Sequence, residues 1–321
     1  MDVVRKIFRY IWSIKGKIII CLLLIPVFVL VLFPVDDISD LVTKEVAKAT
    51  GNQIYVSFDH MNLGFFPTAG VGFDRLSLEA GQLPPLSIRR LDINPSIFGL
   101  LMNKPQGEAY AQGIFRGDIR VAVSPGKKLE NGVATQNINI EAEKLNLGDI
   151  RQFASLPVRI RGQASAKVSG NVDPAFTAQP DINVELQSPN FELQPTSVET
   201  LMGPLVLPGL KLGRLQLKGR LSAGQFLIEE GFFGKDGDDL AGSVKGRIGL
   251  EIRNFNGRMI PVASNYELRF DFAAKEGFEK RSETLLLLIN SHRTAEAAGG
   301  RYKFILTGDA RNQSFNITPL R

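Results

Sequence analysis

The sequence predicts a mainly β protein in which one N-terminal transmembrane helix precedes an antiparallel β-domain with a few short helices. Three observations support this fold class. Residues 18–35 are apolar and uncharged, apolar and polar residues alternate with a period of two over much of the chain after residue 52, and the 31 glycines fall in turns and inside the alternating segments. This alternation gives a strand one apolar and one solvated face, which is typical of antiparallel sheets.

Composition excludes several classes of protein. The chain has 321 residues, 38 of them basic and 33 acidic, with 44% hydrophobic and 22% charged residues, as is usual for a folded protein. Its single cysteine excludes an internal disulfide and any cysteine-built metal centre. Residues 1–17 contain five basic residues and one acidic residue, so the rest of the chain is almost neutral. A neutral body argues against nucleic-acid binding.

The run IIICLLLIPVFVLVLFPV at residues 18–35 predicts a membrane anchor. A helix of this length spans ~27 Å, close to the thickness of a bilayer core. The residues that represent this predicted anchor are Ile18, Leu24, Pro26 and Phe33. A proline such as Pro26 is tolerated in transmembrane helices. Basic residues before the run, and Asp36 and Asp37 after it, predict a cytoplasmic N-terminus with the body across the membrane.

A cleaved signal peptide is the alternative interpretation of this run. Signal peptides usually have an apolar core of ~7–15 residues followed by small residues at the cleavage site. Here the run is longer and ends in LFPVD, so the uncleaved anchor is favoured. The predicted organisation is a basic cytoplasmic tail (1–17), a transmembrane helix (18–35), an amphipathic juxtamembrane helix (36–51) and a β-rich domain (52–321).

The juxtamembrane helix is predicted from apolar residues at helical spacing, among them Leu41, Val42 and Val46, and from Gly51 as its C-terminal stop. It either lies on the membrane surface or packs on the first strands. Further short helices are predicted at 95–102, 148–156, 198–202 and 282–291.

Strands are predicted wherever the period-two pattern holds. The segments are 54–59, 71–79, 86–94, 107–123, 136–143, 158–168, 182–186, 214–221, 244–253, 266–272 and 301–308. Eight residues on their apolar faces are candidates for a groove or a core: Val158, Ile160, Leu215, Leu217, Ile248, Leu250, Leu268 and Phe270. The alternation predicts burial of one face and leaves open whether the strands form a sandwich with a packed core or an open sheet.

Residues that carry out catalysis are not recognisable. The two histidines, His60 and His292, have no neighbouring set of metal ligands, and the catalytic and phosphate-binding motifs are missing from the sequence. The acidic run at 236–239 lacks the spacing of a calcium loop and predicts a charged turn. We therefore expect a protein that is not an enzyme and has no cofactor or metal.

The order of these features resembles the AsmA-like proteins of Gram-negative inner membranes, and within them the Bdellovibrio-type form of the type II secretion system protein N family. The segments that carry the resemblance are FFP at 65–67, VGFDRLSL at 71–78, LSIRRLDI at 86–93, GEAYAQGIFRG at 107–117, YKFILTG at 302–308 and FNI at 315–317. The resemblance covers most of the chain, although the classical members of the secretion family are shorter.

The resemblance implies a periplasmic domain anchored in the inner membrane, with a curved, open sheet. It implies a component or accessory of the type II secretion system that acts through protein contacts. The alternative, drawn from the AsmA-like relatives, is a module that binds or transfers lipid and holds acyl chains, including those of phospholipids, in an apolar groove. An envelope hydrolase would need converging polar groups, and the sequence supplies none that we recognise.

Overall fold

The computed structural model describes residues 38–50, 54–64, 70–80, 83–96, 99, 101–102, 104–128, 132–200, 203–255, 258–282, 300–312 and 314–319. The helices are α1 (Ile38–Ala49), α2 (Leu147–Phe153) and α3 (Glu276–Arg281). The first ten strands are β1 (Ile54–Ser57), β2 (His60–Gly64), β3 (Gly70–Ala80), β4 (Leu86–Pro95), β5 (Gly107–Ile114), β6 (Gly117–Lys128), β7 (Ala134–Asn146), β8 (Ile160–Arg161), β9 (Gln163–Val172) and β10 (Asp181–Ser188).

The remaining described strands are β11 (Phe191–Leu193), β12 (Thr196–Thr200), β13 (Gly203–Leu207), β14 (Leu210–Leu212), β15 (Leu215–Ser222), β16 (Gln225–Phe233), β17 (Leu240–Phe255), β18 (Arg258–Ala274), β19 (Arg301–Asp309) and β20 (Ser314–Pro319). The prediction of a mainly β chain with antiparallel sheets and few helices is confirmed.

One large sheet dominates the fold. It contains fifteen strands in the order β1-β3-β4-β5-β6-β7-β9-β10-β15-β16-β17-β18-β19-β20, with β2 also on β3, and each of its pairings is antiparallel. Apart from β1 and β2, which lie end to end along β3, each strand pairs with the next main-sheet strand along the chain. Within the described residues, the first and last strands of this path do not pair with each other, so the sheet has two edges.

A corner of the structure is formed where three neighbouring strands leave the large sheet. The short strands β8, β11 and β14 form a second, three-stranded sheet, and each is joined to a main strand by one or two residues. Gly162, between β8 and β9, has φ +121°, and a methyl group there would overlap the carbonyl oxygen of Asn190. The sharp change of direction therefore requires glycine at this position.

This corner corrects two predictions. Residues 158–168 are not one strand, because the chain turns at Gly162, and Val158 precedes β8 in a bend. In the helix predicted at 198–202, residues 198–200 instead belong to β12, which pairs with β13, and residues 201 and 202 lie outside the described ranges. The run Thr-Ser-Val-Glu-Thr in β12 is rich in β-branched residues, which favour extended backbone.

Among the predicted short helices, α2 confirms the one at 148–156. Its N-cap is Asn146, whose side chain accepts a hydrogen bond from the Asp149 backbone N–H at 3.1 Å. In the segment predicted as a helix at 95–102, Pro95 ends β4 and Gly99 and Leu101 have helical backbone, while residues 97, 98 and 100 lie outside the described ranges. The helix predicted at 282–291 lies outside them except for its first residue.

Two clusters of buried apolar side chains lie at opposite ends of the strand order. The N-terminal cluster is built from β1 to β6, with Leu76 and Ile88 among its buried members, and Val42 and Val46 of α1 pack against it. The C-terminal cluster contains Phe272, Tyr302 and Phe304 of β18 and β19, with Phe278 of α3 buried among them. Each cluster is thus covered by a short helix.

Helix α1 falls within the segment predicted to be the juxtamembrane helix. Its Thr43 hydroxyl donates a hydrogen bond to the Val56 carbonyl of β1 at 2.8 Å, which fixes the helix against the first strand. Thr50 then closes the helix by donating to the Val46 carbonyl at 2.8 Å. None of the helices in the described ranges is both long and apolar enough to cross a bilayer. The predicted anchor, residues 18–35 with Ile18, Leu24, Pro26 and Phe33, lies outside those ranges.

Candidate functional site

The large sheet has one face on which apolar side chains continue from strand to strand, which we call the apolar face. The register of the strand pairs places fourteen residues, one from each of fourteen strands, in a single line across the sheet, which we call the central row. It consists of Leu63, Val71, Ile93, Ala109, Val121, Ile140, Val168, Val184, Gly219, Ile228, Gly246, Leu268, Leu306 and Ile317. No polar side chain interrupts it.

Two flanking rows on the same face are also apolar. The first runs from β3 to β19 through Phe73, Leu91, Ala111, Ile119, Ala142, Ala166, Leu186, Leu217, Gly231, Val244, Phe270 and Phe304. The second runs from β4 to β20 through Pro95, Gly107, Val123, Ile138, Gly170, Ile182, Leu221, Phe226, Ile248, Tyr266, Gly308 and Phe315. The hydroxyl of Tyr266 is its one side-chain polar group, and it donates to the Ser314 carbonyl at 3.3 Å.

Ordinary sheet spacings give the size of this surface. Strands lie ~4.8 Å apart and alternate residues of one strand ~7 Å apart, so the central row is roughly 60 Å long and the three rows cover a band roughly 14 Å wide. Glycines recur in all three rows, and alanines in the central and first flanking rows, beside valine, leucine and isoleucine. The Phe226 ring lies over Gly219 and the Tyr266 side chain over Gly308, so these glycines make room for neighbouring side chains.

Cover over the apolar face differs along its length. In the middle of the sheet, the central-row residues Val121, Ile140, Val168 and Val184 are each only half-buried. By contrast, Ile228, in the same row further along, is 6% exposed. Neither buried cluster includes a residue of β9 or β10. The middle of the face therefore presents aliphatic side chains that the described parts of the chain leave only half-buried.

The opposite face of the sheet, the polar face, carries charges of alternating sign. One line across six strands contains Arg120, Glu141, Lys167, Glu185, Lys218 and Glu230. Lys167 Nζ lies 3.5 Å from Glu141 Oε1, and Lys218 Nζ lies 3.7 Å from Glu185 Oε1. Because these charges compensate one another and are exposed, this face is suited to contact with water.

Several carboxylates on the polar face are held in their ionised form by arginines. Asp181 accepts two hydrogen bonds from Arg220, at 2.9 and 2.8 Å, and these lower the pKa of Asp181. Hydrogen bonds from Arg301 lower the pKa of Asp271 in the same way. Glu267 has a lowered pKa because Arg269 and Arg247 both donate to it. These groups are paired surface charges, and none is poised to exchange a proton near neutral pH.

A polar depression of about 600 Å³ lies on this face near the N-terminal edge of the sheet. The Arg120 guanidinium lies 5.4 Å from the centre of the Tyr110 ring. Arg90 Nε donates to both carboxylate oxygens of Asp92, at 2.9 and 3.0 Å, and this raises the pKa of Arg90. Asn62, Asn94 and Glu108 also line the depression, together with Gly70 and Gly72.

Six of the eight predicted groove or core residues lie on the apolar face of the large sheet, and all six are half-buried: Leu215, Leu217, Ile248, Leu250, Leu268 and Phe270. The other two lie elsewhere. Val158 is in the bend before β8, and Ile160 pairs with Leu193 in the three-stranded sheet. The residues that the prediction missed are those of β6 to β10 in the central row. Their alternation is visible in the sequence, but their alignment depends on strand register.

Groups with metal or catalytic chemistry are not brought together in the part of the chain that the structure describes, where no three His, Cys, Asp or Glu side chains are placed to hold a metal ion. Asp238, in the acidic run at 236–239, accepts hydrogen bonds from the backbone N–H groups of Gly213 (2.7 Å) and Lys235 (2.9 Å), which lower its pKa. Asp239 pairs with Arg281. These two carboxylates fix a turn, as the sequence predicts for this run. His60 is exposed on β2, and His292 lies outside the described residues.

Comparison with known proteins gives no neighbour. No protein-family model, curated protein or solved structure matches the chain. The AsmA-like and secretion-family resemblance therefore stays a prediction.

Proposed function

We propose that this protein binds lipid acyl chains along the apolar face of its large sheet. The observation that supports the proposal is the central row, which crosses fourteen strands without a polar side chain and is only half-buried at β6, β7, β9 and β10. An aliphatic surface that the described residues leave incompletely buried is a candidate binding site, because accessible apolar patches mark sites of interaction with apolar partners. A hydrocarbon chain needs no hydrogen bonds and matches a surface that offers none.

The shape of the rows favours a long flexible ligand over a compact one. Each methylene group moved from water to an apolar surface contributes up to ~0.8 kcal/mol, so many weak contacts along a row add to useful affinity. Because the row is roughly 60 Å long, we further propose that chains can shift along it, as a lipid-transfer module requires.

The location that fits this proposal is the periplasmic side of a bacterial inner membrane. It follows from the charge distribution around residues 18–35 and from the resemblance, and it stands as part of the proposal. A reporter that is active only in the periplasm, fused after residue 60, tests it: activity supports this topology and inactivity refutes it.

Photo-crosslinking to lipid tests acyl-chain binding directly. The full-length chain would be placed in phosphatidylethanolamine–phosphatidylglycerol vesicles that contain a diazirine on one acyl chain, and adducts would be mapped by peptide mass spectrometry. We expect adducts on β6 to β10. Adducts confined to the N-terminal segment would show only membrane contact and would refute the proposal.

A matched pair of variants makes this test specific. Val168→Glu puts a carboxylate in the middle of the central row, whereas Ser169→Glu puts the same group on the exposed polar face of the same strand. Because burying a carboxylate beside hydrocarbon is costly, we expect Val168→Glu to reduce adducts on β6 to β10 at least fivefold. Ser169→Glu should leave them unchanged. Equal labelling of the two variants would contradict the proposal.

A part in type II secretion is our second proposal, and the polar depression is the observation that favours it. Tyrosine and arginine are enriched at protein–protein contacts, and Tyr110 and Arg120 lie together in a depression with paired charges. Arg120→Ala should then reduce secretion of exported enzymes while acyl-chain labelling persists. Arg247→Ala, which removes a polar-face arginine paired with Glu267 away from the depression, is the control. Normal secretion with Arg120→Ala would remove the support for this role.

A further inference from the structure

The two edges of the large sheet differ in how they are protected. At the first edge, β1 and β2 are separated by a break at Phe58 and Asp59, opposite Arg75, whose φ is +51°. The Asp59 carboxylate is ion-paired with Arg75 at 2.5 Å, and α1 packs beside β1. Breaks, charges and covering helices are the usual devices that prevent one sheet edge from pairing with another.

Within the described residues, the last edge has no break, no charged side chain and no covering helix, and Pro319 at its end is its one protective device. Strand β20 is continuous over six residues, SFNITP, and contains no charged residue. Among the described strands it pairs only with β19. Its Phe315, which ends one flanking row, is 47% exposed, and Ile317 ends the central row. An uncharged edge with exposed apolar side chains is a surface on which a further strand can add.

We propose that the occupant of this edge is β20 of a second copy of the chain, paired antiparallel about a twofold axis at Asn316. In that register Asn316 faces the partner's Asn316 and Phe315 faces the partner's Ile317. Ser314 likewise faces the partner's Thr318. Opposed residues of an antiparallel pair lie on the same face, so Phe315 and Ile317 meet on the apolar face while the asparagines meet on the polar face.

The self-pairing is favoured by the sequence of the strand itself. A twofold interface sets each residue against a residue of the same strand, and β20 has no charge that would meet its own copy. The exposed Phe315 is covered in the same step. The central row of each copy then meets a flanking row of the other, and the apolar face continues from one copy into the next. This inference goes beyond acyl-chain binding and can fail without affecting it.

Cysteine cross-linking of the full-length protein tests the register, in a Cys21→Ser background that removes the chain's single cysteine. Directly opposed residues of an antiparallel pair have Cα atoms ~4.5–5.5 Å apart, within the range that a disulfide spans. We expect Asn316→Cys to form a covalent dimer at least tenfold more readily than Leu227→Cys. Leu227 is 49% exposed but lies on the interior strand β16, so it controls for chance collision.

Cross-linking between two different cysteine variants locates the twofold axis. Phe315→Cys and Ile317→Cys chains carrying different tags should cross-link to each other and poorly to themselves. Cross-linking of Asn316→Cys no faster than Leu227→Cys, or cross-linking to a different protein, would overturn the proposal.

Charge variants give a second readout that does not depend on cysteine chemistry. Asn316→Lys would place two ammonium groups face to face across the twofold axis, and like charges directly opposite are destabilising. Analytical ultracentrifugation should show the dimer weakened at least tenfold, while Asn312→Lys, in the exposed turn before β20, leaves it unchanged. Equal dimerisation by both variants would contradict the proposal.

Discussion

The ends and the middle of the large sheet are built from the same alternating pattern, yet they are covered differently. At the N-terminal end, α1 lies over strands whose Leu76 is 3% exposed. At the C-terminal end, α3 covers Tyr302, which is 1% exposed and donates a hydrogen bond to Glu279 of that helix at 2.8 Å. Between them, the valines and isoleucines of β6, β7, β9 and β10 in the central row are only half-buried.

We propose that this difference lets one apolar face serve two purposes. At each end a helix, of twelve residues in α1 and six in α3, packs on the face and completes a buried core. In the middle, the strands are held by the backbone hydrogen bonds between them, by the turns and by the charged side chains of the polar face. We infer that side-chain packing stabilises the ends and that the middle is left available for a ligand. The following predictions test that division, from the largest expected effect to the smallest.

The first prediction compares the same substitution at an end and in the middle. Leu76→Ala should lower the free energy of unfolding by about 2–5 kcal/mol, because it leaves a cavity under α1. Leu186→Ala, on half-buried β10, should cost about 1 kcal/mol, because its side chain is already partly solvated. Denaturant titration of both variants measures the two losses. Equal losses would mean that the middle is packed as tightly as the ends.

The second prediction concerns the corner where the middle strands turn. Gly162→Ala should destabilise the protein by about 1–3 kcal/mol, because φ is +121° and the added methyl group meets the Asn190 carbonyl. Gly237→Ala is the matched control, since Gly237 also has positive φ (+99°) but no heavy atom lies near its added methyl group. Thermal unfolding should therefore show the larger loss for Gly162→Ala. A smaller loss than that of Gly237→Ala would argue against a backbone-fixed corner.

The third prediction concerns the connection between β9 and β10. The buried Asp173 carboxylate accepts hydrogen bonds from the Thr177 hydroxyl and from the backbone N–H groups of Ala175, Thr177 and Ala178, which lower its pKa below the ordinary 3.8. Folding thus favours the ionised form. This stabilisation is complete above pH 3.8 and is lost as the pH falls through the lowered pKa.

Asp173→Asn should lower Tm by a few °C near neutral pH, because the amide N–H₂ faces donors that need an acceptor. The difference in Tm between the natural protein and the variant should shrink below about pH 4, as calorimetry across pH would show. A difference that stays constant down to pH 2 would contradict the assigned role.

The smallest effect is expected on the polar face. Lys167→Gln removes an exposed ion pair with Glu141 and should change the free energy of unfolding by less than about 0.5 kcal/mol. Acyl-chain labelling should be unchanged as well, since Lys167 lies on the opposite face from Val168. A loss above about 1 kcal/mol in denaturant titration would mean that the alternating charges of the polar face stabilise the middle of the sheet.

The sequence predicted the strands well because each carries its own alternation, which is a local property. It predicted Leu217, Ile248 and Leu268 on the apolar face for the same reason. The position of Ile160 in the three-stranded sheet was not predicted, because sheet membership depends on the turn at Gly162, which a continuous alternation hides. The rows themselves depend on the alignment of thirteen strand pairs, and no local pattern encodes an alignment.

The order of the large sheet also has a consequence for how such a chain can change in length. Because nearly every strand pairs with its next main-sheet neighbour along the chain, adding or deleting one hairpin alters the sheet at one place and leaves all other pairings intact. An added hairpin contributes two strands, so the strands that follow keep their direction, and each row becomes roughly 10 Å longer. A single strand would reverse every strand that follows. The length of the apolar face can therefore change in steps of two strands.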